Sequence, residues 1–230
     1  MGLGHGPNIV KDGLMFCFDA ANPRSYPGTG TTWSSVNESQ TVGTLINSPA
    51  FNTYNAGAIT LNGSDTYIQV NNFDNTASTI YSFDMFVRWR TSNDGMFMGF
   101  SGYDVWTHQG RLGWNTGAGD LYGISSTQVN NLNLIGTTNE NWHHYVFIFS
   151  TQIQNNKMYI DGQEQTLSQQ GGSTNLTSTR TFQNSFRIGI WPNNLSYIFN
   201  GDFANFKVYN RAITLAEATQ NYNALKPRFN

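Results

Sequence analysis

The sequence predicts an all-β protein: two antiparallel sheets packed as a sandwich, with one short C-terminal α-helix. Three observations predict it. Residues 79–90, TIYSFDMFVRWR, alternate with a period of two. This puts Tyr81, Phe83, Met85, Val87 and Trp89 on a core face and Ser82, Asp84 and Arg88 on the other, with Phe86 the exception. Short apolar runs recur at even spacing between glycine and asparagine turns, the pattern of a meander. Only residues 207–225, KVYNRAITLAEATQNYNAL, carry a helix signature. Composition agrees: 16 Phe, 11 Tyr and 6 Trp can fill a core although the hydrophobic fraction is only 38%. Each buried ring removes roughly 150–250 Å² from water.

In chain order, residues 1–12 read as a glycine-rich arm and 13–230 as a single domain. Residues 14–19 are the first buried strand, and Cys17 within it is a small apolar residue. Residues 22–33 form a loop ordered by prolines and glycines and pinned by Trp33. Strands follow at 42–46, 58–61 and 67–70, with Asn62-Gly63 as a turn signal between the last two. After the long strand at 79–90, runs at 96–100, 103–108, 111–115 and 121–124 form a meander. Residues 144–149 are apolar on both faces, as in a central strand. Residues 157–160 and 163–167 flank Asp161-Gly162, a type I′ hairpin signal. Residues 168–181 read as a polar loop, 186–190 as a strand and 203–209 as the last strand. Thr214 and Glu217 then form a capping box. Leu215, Ala218, Tyr222 and Leu225 make a narrow apolar stripe, and Pro227 stops the helix. A helix of about ten residues is marginal alone and must dock on the sandwich.

The formal net charge of −2, with 12 Lys and Arg scattered along the chain, argues against nucleic-acid binding. Arg88-Trp89-Arg90 is the densest basic group and reads as a solvated strand edge. No apolar stretch approaches 18 residues, so membrane insertion is not expected. A lone cysteine makes no internal disulfide, and no signal peptide is visible, so passage through an oxidising secretory pathway is not expected.

Several segments together resemble the laminin-G-like, concanavalin-A-type jelly rolls, in the compact form found in structural proteins of tailed bacteriophages of marine and cyanophage type. They are DGLMFCFDAANPRSYPGTGTTW at 12–33, GTLINSPAF at 43–51, ITLNGSDTYIQV at 59–70 and NWHHYVFIFS at 141–150. KMYIDGQ at 157–163 and FKVYNRAITLAEATQNYNALKPRF at 206–229 complete the set. The resemblance implies a first strand beside the last and a helix over one end of the sandwich. Asp19 and Arg211 would then pair at that junction, and Tyr209 would be scaffold. It also implies a virion protein, decorating the capsid or associated with the tail, whose partners are other virion proteins and a host-surface polysaccharide. Self-association into a homo-oligomer is left open.

Related jelly rolls include polysaccharide-degrading enzymes, which makes an enzyme the third reading after glycan binding and a purely structural cement role. Two catalytic carboxylates must stand roughly 5–5.5 Å apart in retaining glycosidases. On one strand that means a spacing of two, and neither Glu38, Glu140, Glu164, Glu217 nor any Asp pair shows it. Catalysis is not expected. His143 and His144 are adjacent on a strand, point to opposite faces and cannot share a metal. Relatives often hold calcium with a final-strand Asp-Glu pair, but Ala204 and Asn205 stand there. Calcium takes six to eight oxygens, so no cofactor is expected, and Asp65 is the one remaining weak candidate ligand. Sugar recognition needs aromatic faces and planar polar groups. Residues 91–139 carry both in Tyr103, Trp106, His108, Arg111, Trp114, Asn115 and Tyr122. A second cluster comprises Trp191, Asn193, Asn194 and Tyr197.

Overall fold

The computed structural model describes residues 7–117 and 119–229. Along the chain the strands are β1 (Leu14–Asp19), β2 (Thr32–Ser34), β3 (Val42–Ile46), β4 (Ala50–Asn52), β5 (Ala58–Asn62) and β6 (Tyr67–Asn71). Then come β7 (Ile80–Trp89), β8 (Gly95–Phe100), β9 (Tyr103–His108), β10 (Arg111–Asn115), β11 (Leu121–Ile124) and β12 (Trp142–Ser150). The rest are β13 (Lys157–Ile160), β14 (Gln163–Glu164), β15 (Ser168–Gly171), β16 (Ser185–Ile188) and β17 (Asn200–Tyr209). Two helices complete the set, α1 (Ser126–Asn131) and α2 (Leu215–Leu225).

Eight strands make one sheet in the order β14-β13-β12-β7-β17-β5-β4, with β1 added on β17. Nine make the other, β15-β11-β10-β9-β8-β16-β6-β3-β2. Every pairing between named strands is antiparallel, as the sandwich reading requires. β1 lies beside β17, so first and last strands are neighbours. The meander β8-β9-β10-β11 stands as expected. The hairpin at Asp161-Gly162 does too, both residues having positive φ (50° and 73°).

The core between the sheets is mostly aromatic. Tyr81, Phe83, Met85, Val87 and Trp89 of β7 all point into it and are fully buried. The opposite face of β7, expected to be wet, is buried as well. Asp84 and Phe86 lie under α2 and the C-terminal tail, Ser82 meets the Arg211–Ile213 segment that leads into α2, and Arg88 reaches the Thr137 carbonyl beside Trp142. The Phe86 ring stacks on Phe229 at 4.5 Å and on Tyr222 at 6.1 Å. Thus α2 covers a sheet face rather than an end of the sandwich. Val10 of the arm donates its N–H to Asn221 Oδ1 at 2.8 Å, and its carbonyl accepts from the Tyr209 hydroxyl at 3.1 Å. The rest of the predicted arm, residues 1–6, lies outside the described residues.

The capping box of α2 forms as expected. The Thr214 hydroxyl accepts from Glu217 N–H, and Thr214 N–H donates back to Glu217 Oε2 at 2.8 Å. Arg211 forks onto the same carboxylate at 2.9 and 2.6 Å, and this hydrogen bonding holds the Glu217 carboxyl down to about 2. Three of the four expected stripe residues, Ala218, Tyr222 and Leu225, pack against the sheet, and Leu215 does not. Leu215 is 38% exposed, while Ala218 and the polar Asn221 are buried. The helix meets the sheet through residues one turn further along, where Asn221 finds polar partners.

Other expectations need correction. Asp19 and Arg211 do not pair, because antiparallel β1 and β17 place Asp19 opposite Asn205 and leave Arg211 at the other end, beyond Leu14. Arg211 pairs with Glu217 and Asp12, and Asp19 with Arg228 at 2.9 Å. Arg88 and Arg90 are no solvated edge: two residues apart, they reach over one face to the buried Asp202, each at 2.8 Å. The Asn62-Gly63 turn stands as expected, and it carries the chain between sheets, since β5 and β6 belong to different ones. Its Asn62 Oδ1 accepts from the amides of Ser64, Asp65 and Thr66, which turns the chain from one sheet to the other. The predicted polar loop contains β15, which pairs with β11. Its sequence SQQG has no apolar period to betray it. Short α1, capped by Ser125 and Gln128, buries only Val129 and was equally unsignalled.

Candidate functional site

Strand register decides which side chains the nine-stranded sheet offers to solvent. Residues directly opposite across an antiparallel pair share a face. One row crosses the outer face from Thr32 through Thr44, Gln69, Arg187, Gly99 and Asp104 to Asn115. Trp106 and Gly113, then His108 and Arg111, continue that face. The inner face takes the residues between them. Tyr103 and Trp114 are therefore core side chains, 1% and 0% exposed, and Tyr122 registers opposite Trp114 on the same side. These three of the predicted ligand-facing aromatics point the wrong way.

Trp106 does face outward, but the 191–197 loop covers it. It packs with Met96, Leu121 and Trp191, stacks on His108 at 4.6 Å and donates its indole N–H to the Asp120 carbonyl at 3.1 Å. Tyr197 closes over both Trp106 and Trp191, at 5.6 and 5.7 Å. His108 Nδ1 lies 2.7 Å from Asp94. Trp106 and His108 therefore anchor the loop, which leaves Trp191 half-buried and Asn193 and Asn194 exposed on it. Arg111 is half-buried beside His108.

The loop walls a trough on the outer face. A hollow of about 260 Å³ there meets the loop at Pro192, and a second of about 440 Å³, at the turns around Gly102, Gly117 and Arg180, shares Ser101 and Gln183 with it. Gln183 bridges them: its carbonyl accepts from Ser101 N–H at 2.7 Å and its amide donates to the Ser101 carbonyl at 2.9 Å. Asn193 touches the Ser101 hydroxyl from the loop side. At one end, Arg187 donates Nε–H to Gln69 Oε1 at 2.9 Å and lies 5.1 Å over the Tyr67 ring. It also reaches the Trp191 carbonyl at 3.4 Å. At the other end is Arg180, whose Nε is out of solvent with no partner among the described residues. Both hollows are lined by amides, hydroxyls, arginines and backbone, with no carboxylate among the described residues.

The sequence singled out none of Gln69, Ser101, Arg180, Gln183 and Arg187. Alternation in 186–190 does put Arg187 on the polar face, but only the non-local pairing of β16 with β6 and β8 makes that face a site.

Beside the trough, Asp104 and Asp120 are fully buried. Asp120 accepts from Thr116 N–H and hydroxyl at 2.8 Å, whereas Asp104 has only the Asn115 amide at 3.3 Å and leaves Oδ1 unpartnered among the described residues. Burial, with help from Asp120, pushes the Asp104 carboxyl well above its ordinary value against the Asn115 hydrogen bond. The native state therefore holds a proton there that the unfolded chain releases at lower pH. Stability falls as pH rises from the ordinary carboxylate value upward through the raised one. Asp104→Asn is expected to gain about 1–3 kcal/mol at pH 7, a gain that shrinks toward pH 4. Urea melts at both pH values check this, and a loss at pH 7 contradicts it.

The last strand does not fit calcium. Ala204 has no side-chain ligand atom and its carbonyl accepts from Ala20 N–H, while Asn205 Oδ1 accepts from the Lys207 ammonium at 2.9 Å, which also contacts Asp84. An amine already occupies that cluster of oxygens. Asp65 sits in the exposed Asn62 turn, where one carboxylate oxygen accepts from the Asn62 amide at 2.8 Å. Among the described residues no three His, Cys, Asp or Glu side chains converge on one point. His143 and His144 serve different partners: His143 Nδ1 lies 2.7 Å from Asp161 and His144 Nε2 3.0 Å from Asp84. A separate cleft of about 370 Å³ lies between β12 and the end of α2. Its His143 also has Nε2 3.1 Å from the Asn133 carbonyl, so neither ring nitrogen is free to act as a base.

The sequence profile of the concanavalin A-like lectin/glucanases superfamily matches residues 62–219. No curated protein matches in sequence. Among solved structures, Trypanosoma rangeli sialidase in complex with the inhibitor DANA is similar at TM-score 0.63 and 14% identity. That match covers 94% of this chain and 33% of the sialidase. The receptor-binding domain of botulinum neurotoxin mosaic serotype C/D, carrying tetraethylene glycol and sulfate, gives 0.63 and 14%, over 92% of this chain and 50% of that one. The botulinum neurotoxin serotype D binding domain gives 0.62 and 12%, over 92% and 51%. The chain thus spans a third to a half of these proteins, and likeness at such identity speaks for the fold.

Proposed function

The chain belongs to the concanavalin A-like lectin/glucanases superfamily, and from that footing we propose that it is a non-catalytic carbohydrate-binding module of a virion. The observation that carries the reading is the trough on the outer face of the nine-stranded sheet. Amides and hydroxyls of Gln69, Ser101, Gln183 and Asn193 line or flank a groove walled by the Trp191–Tyr197 loop. Such planar donors and acceptors suit sugar hydroxyls, and ring faces beside them suit the apolar side of a pyranose. The absence of a carboxylate from the lining among the described residues supports a non-catalytic role, since glycoside cleavage ordinarily uses a carboxyl pair. The virion assignment rests on the phage-like motifs, above all FDAANPRSYPG at 18–28 and YNRAIT at 209–214. On that reading the module sits on the capsid or tail, held by neighbouring virion proteins, and meets host-surface polysaccharide. It needs no metal.

A glycan array with the purified protein tests this. Binding is expected, and Asn193→Ala, an exposed position, should weaken it about tenfold, as loss of one or two hydrogen bonds to a ligand does. Trp191→Ala should abolish it by releasing the loop. A silent array would favour a cement protein that contacts only other virion proteins. Reducing ends released from any bound glycan would establish an enzyme.

A further inference from the structure

We propose that the trough takes an anionic glycan, its acid groups pairing with Arg187 and Arg180. This rests on the carbohydrate reading and names the class of sugar. Of the eight arginines, Arg24, Arg111, Arg180 and Arg187 face no carboxylate among the described residues, and Arg180 and Arg187 are the two of these that line the hollows. Arg88, Arg90, Arg211 and Arg228 each face a carboxylate of the chain at 2.6–2.9 Å. Arg187 lines one hollow and Arg180 the adjoining one that shares Ser101 and Gln183, and neither faces a carboxylate among the described residues.

The protein nevertheless has acids in excess, 14 against 12 basic residues. A trough that excludes all of them while holding two arginines is a local positive field on a weakly negative molecule. A guanidinium drawn part-way out of water without a counter-charge is unfavourable, and a ligand anion would remove that cost. Arg187 is also held in place before any ligand arrives. Gln69 Oε1 fixes Nε, and the Tyr67 ring lies under the plane at 5.1 Å. One Nη1–H reaches the Trp191 carbonyl at 3.4 Å, and the Nη2 side of the fork stays available for an anionic partner. Arg180 has a buried Nε with no acceptor among the described residues, a donor that a ligand oxygen would satisfy. Between the two arginines, Ser101 and Gln183 offer neutral contacts for the hydroxyls of a linking sugar. A cation, neutral groups and a second cation in series suit a polymer with recurring acid groups. Carboxylate and sulfate share this chemistry.

Calorimetric titration decides it, with four probes: oligogalacturonate, its carboxyl-reduced form, sulfated dextran and plain dextran. An acidic probe should bind at least tenfold more tightly than its neutral partner, and more weakly as salt is raised. Arg187→Gln and Arg180→Gln should each weaken that binding by about 10- to 100-fold, the loss of a charge-assisted hydrogen-bond pair. Arg187→Lys, which keeps the charge and loses the fork, should fall between. Melting curves superimposable on the wild type show that the variants fold. Preference for oligogalacturonate identifies carboxylate as the anion, and preference for sulfated dextran identifies sulfate. Equal affinity for acidic and neutral partners, or arginine variants that bind like the wild type, overturns the proposal and leaves the carbohydrate reading standing. Failure to bind any sugar on probes and array alike removes both.

Discussion

Asp84→Ala is expected to destabilise the protein by about 3–5 kcal/mol, the cost of stripping one partner from a buried charge cluster. Asp84 is fully buried on the outer face of β7. It touches the Lys207 ammonium, has His144 Nε2 3.0 Å away and accepts from the Asn221 amide at 2.7 Å. Asn221 in turn holds the Val10 amide and the Tyr209 hydroxyl. One carboxylate therefore ties two central strands to α2 and the arm, and alanine would leave Lys207 buried without a counter-charge. Burial alone would raise the Asp84 carboxyl, but His144 and Lys207 outweigh it and hold the group below its ordinary value. A depressed native carboxylate stabilises above the unfolded-state value and loses that contribution as pH falls below it. Acid titration of the wild type should show this loss below about pH 4, and Asp84→Asn should lack that limb while already being less stable at pH 7. Chemical denaturation across pH checks both. An alanine variant within about 0.5 kcal/mol of the wild type would mean that water reaches Lys207 and the cluster is not closed.

The same face shows what the sequence could and could not disclose. Phe86 broke the alternation of β7, and that break was the signal of a second covered face. Its partners Phe229 and Tyr222 lie more than 130 positions away, where local pattern says nothing of them. Sheet architecture, the meander and the α2 cap were legible because they follow from period-two patterning and short-range turn chemistry. The site was less so. Aromatics in a middle segment rich in them were read as ligand-facing, yet a strand's side chains alternate. Register then sent Tyr103, Trp114 and Tyr122 to the inner face and Trp106 under a loop. Conversely, the trough gathers Gln69, Ser101, Arg180 and Arg187 from four separate segments. None is remarkable locally, and their lack of acidic neighbours is a property of the assembled surface alone.

Phe83→Ala should cost a similar 3–5 kcal/mol, by a different route. Its ring lies at the centre of the sandwich, 5.1 Å from Phe149, 5.6 Å from Phe186 and 6.1–6.3 Å from Phe73, Phe100 and Phe206. These neighbours come from both sheets, so the ring is a rivet between them. Rings pivot poorly into a void, and the strands that carry them are held by their ladders, so the cavity would collapse only partly. Phe83→Leu keeps most of the volume and should cost less than half as much. Because Phe186 faces inward next to outward-facing Arg187 on β16, loosening this contact should also disturb the Arg187–Gln69 pairing. Phe83→Ala is therefore expected to weaken ligand binding while Phe83→Leu leaves it intact, with urea melts reading the first effect and titration the second. If the alanine variant loses stability but binds normally, the trough is positioned by the strand ladder alone; if it loses both, the aromatic core sets the geometry of the site on its far side.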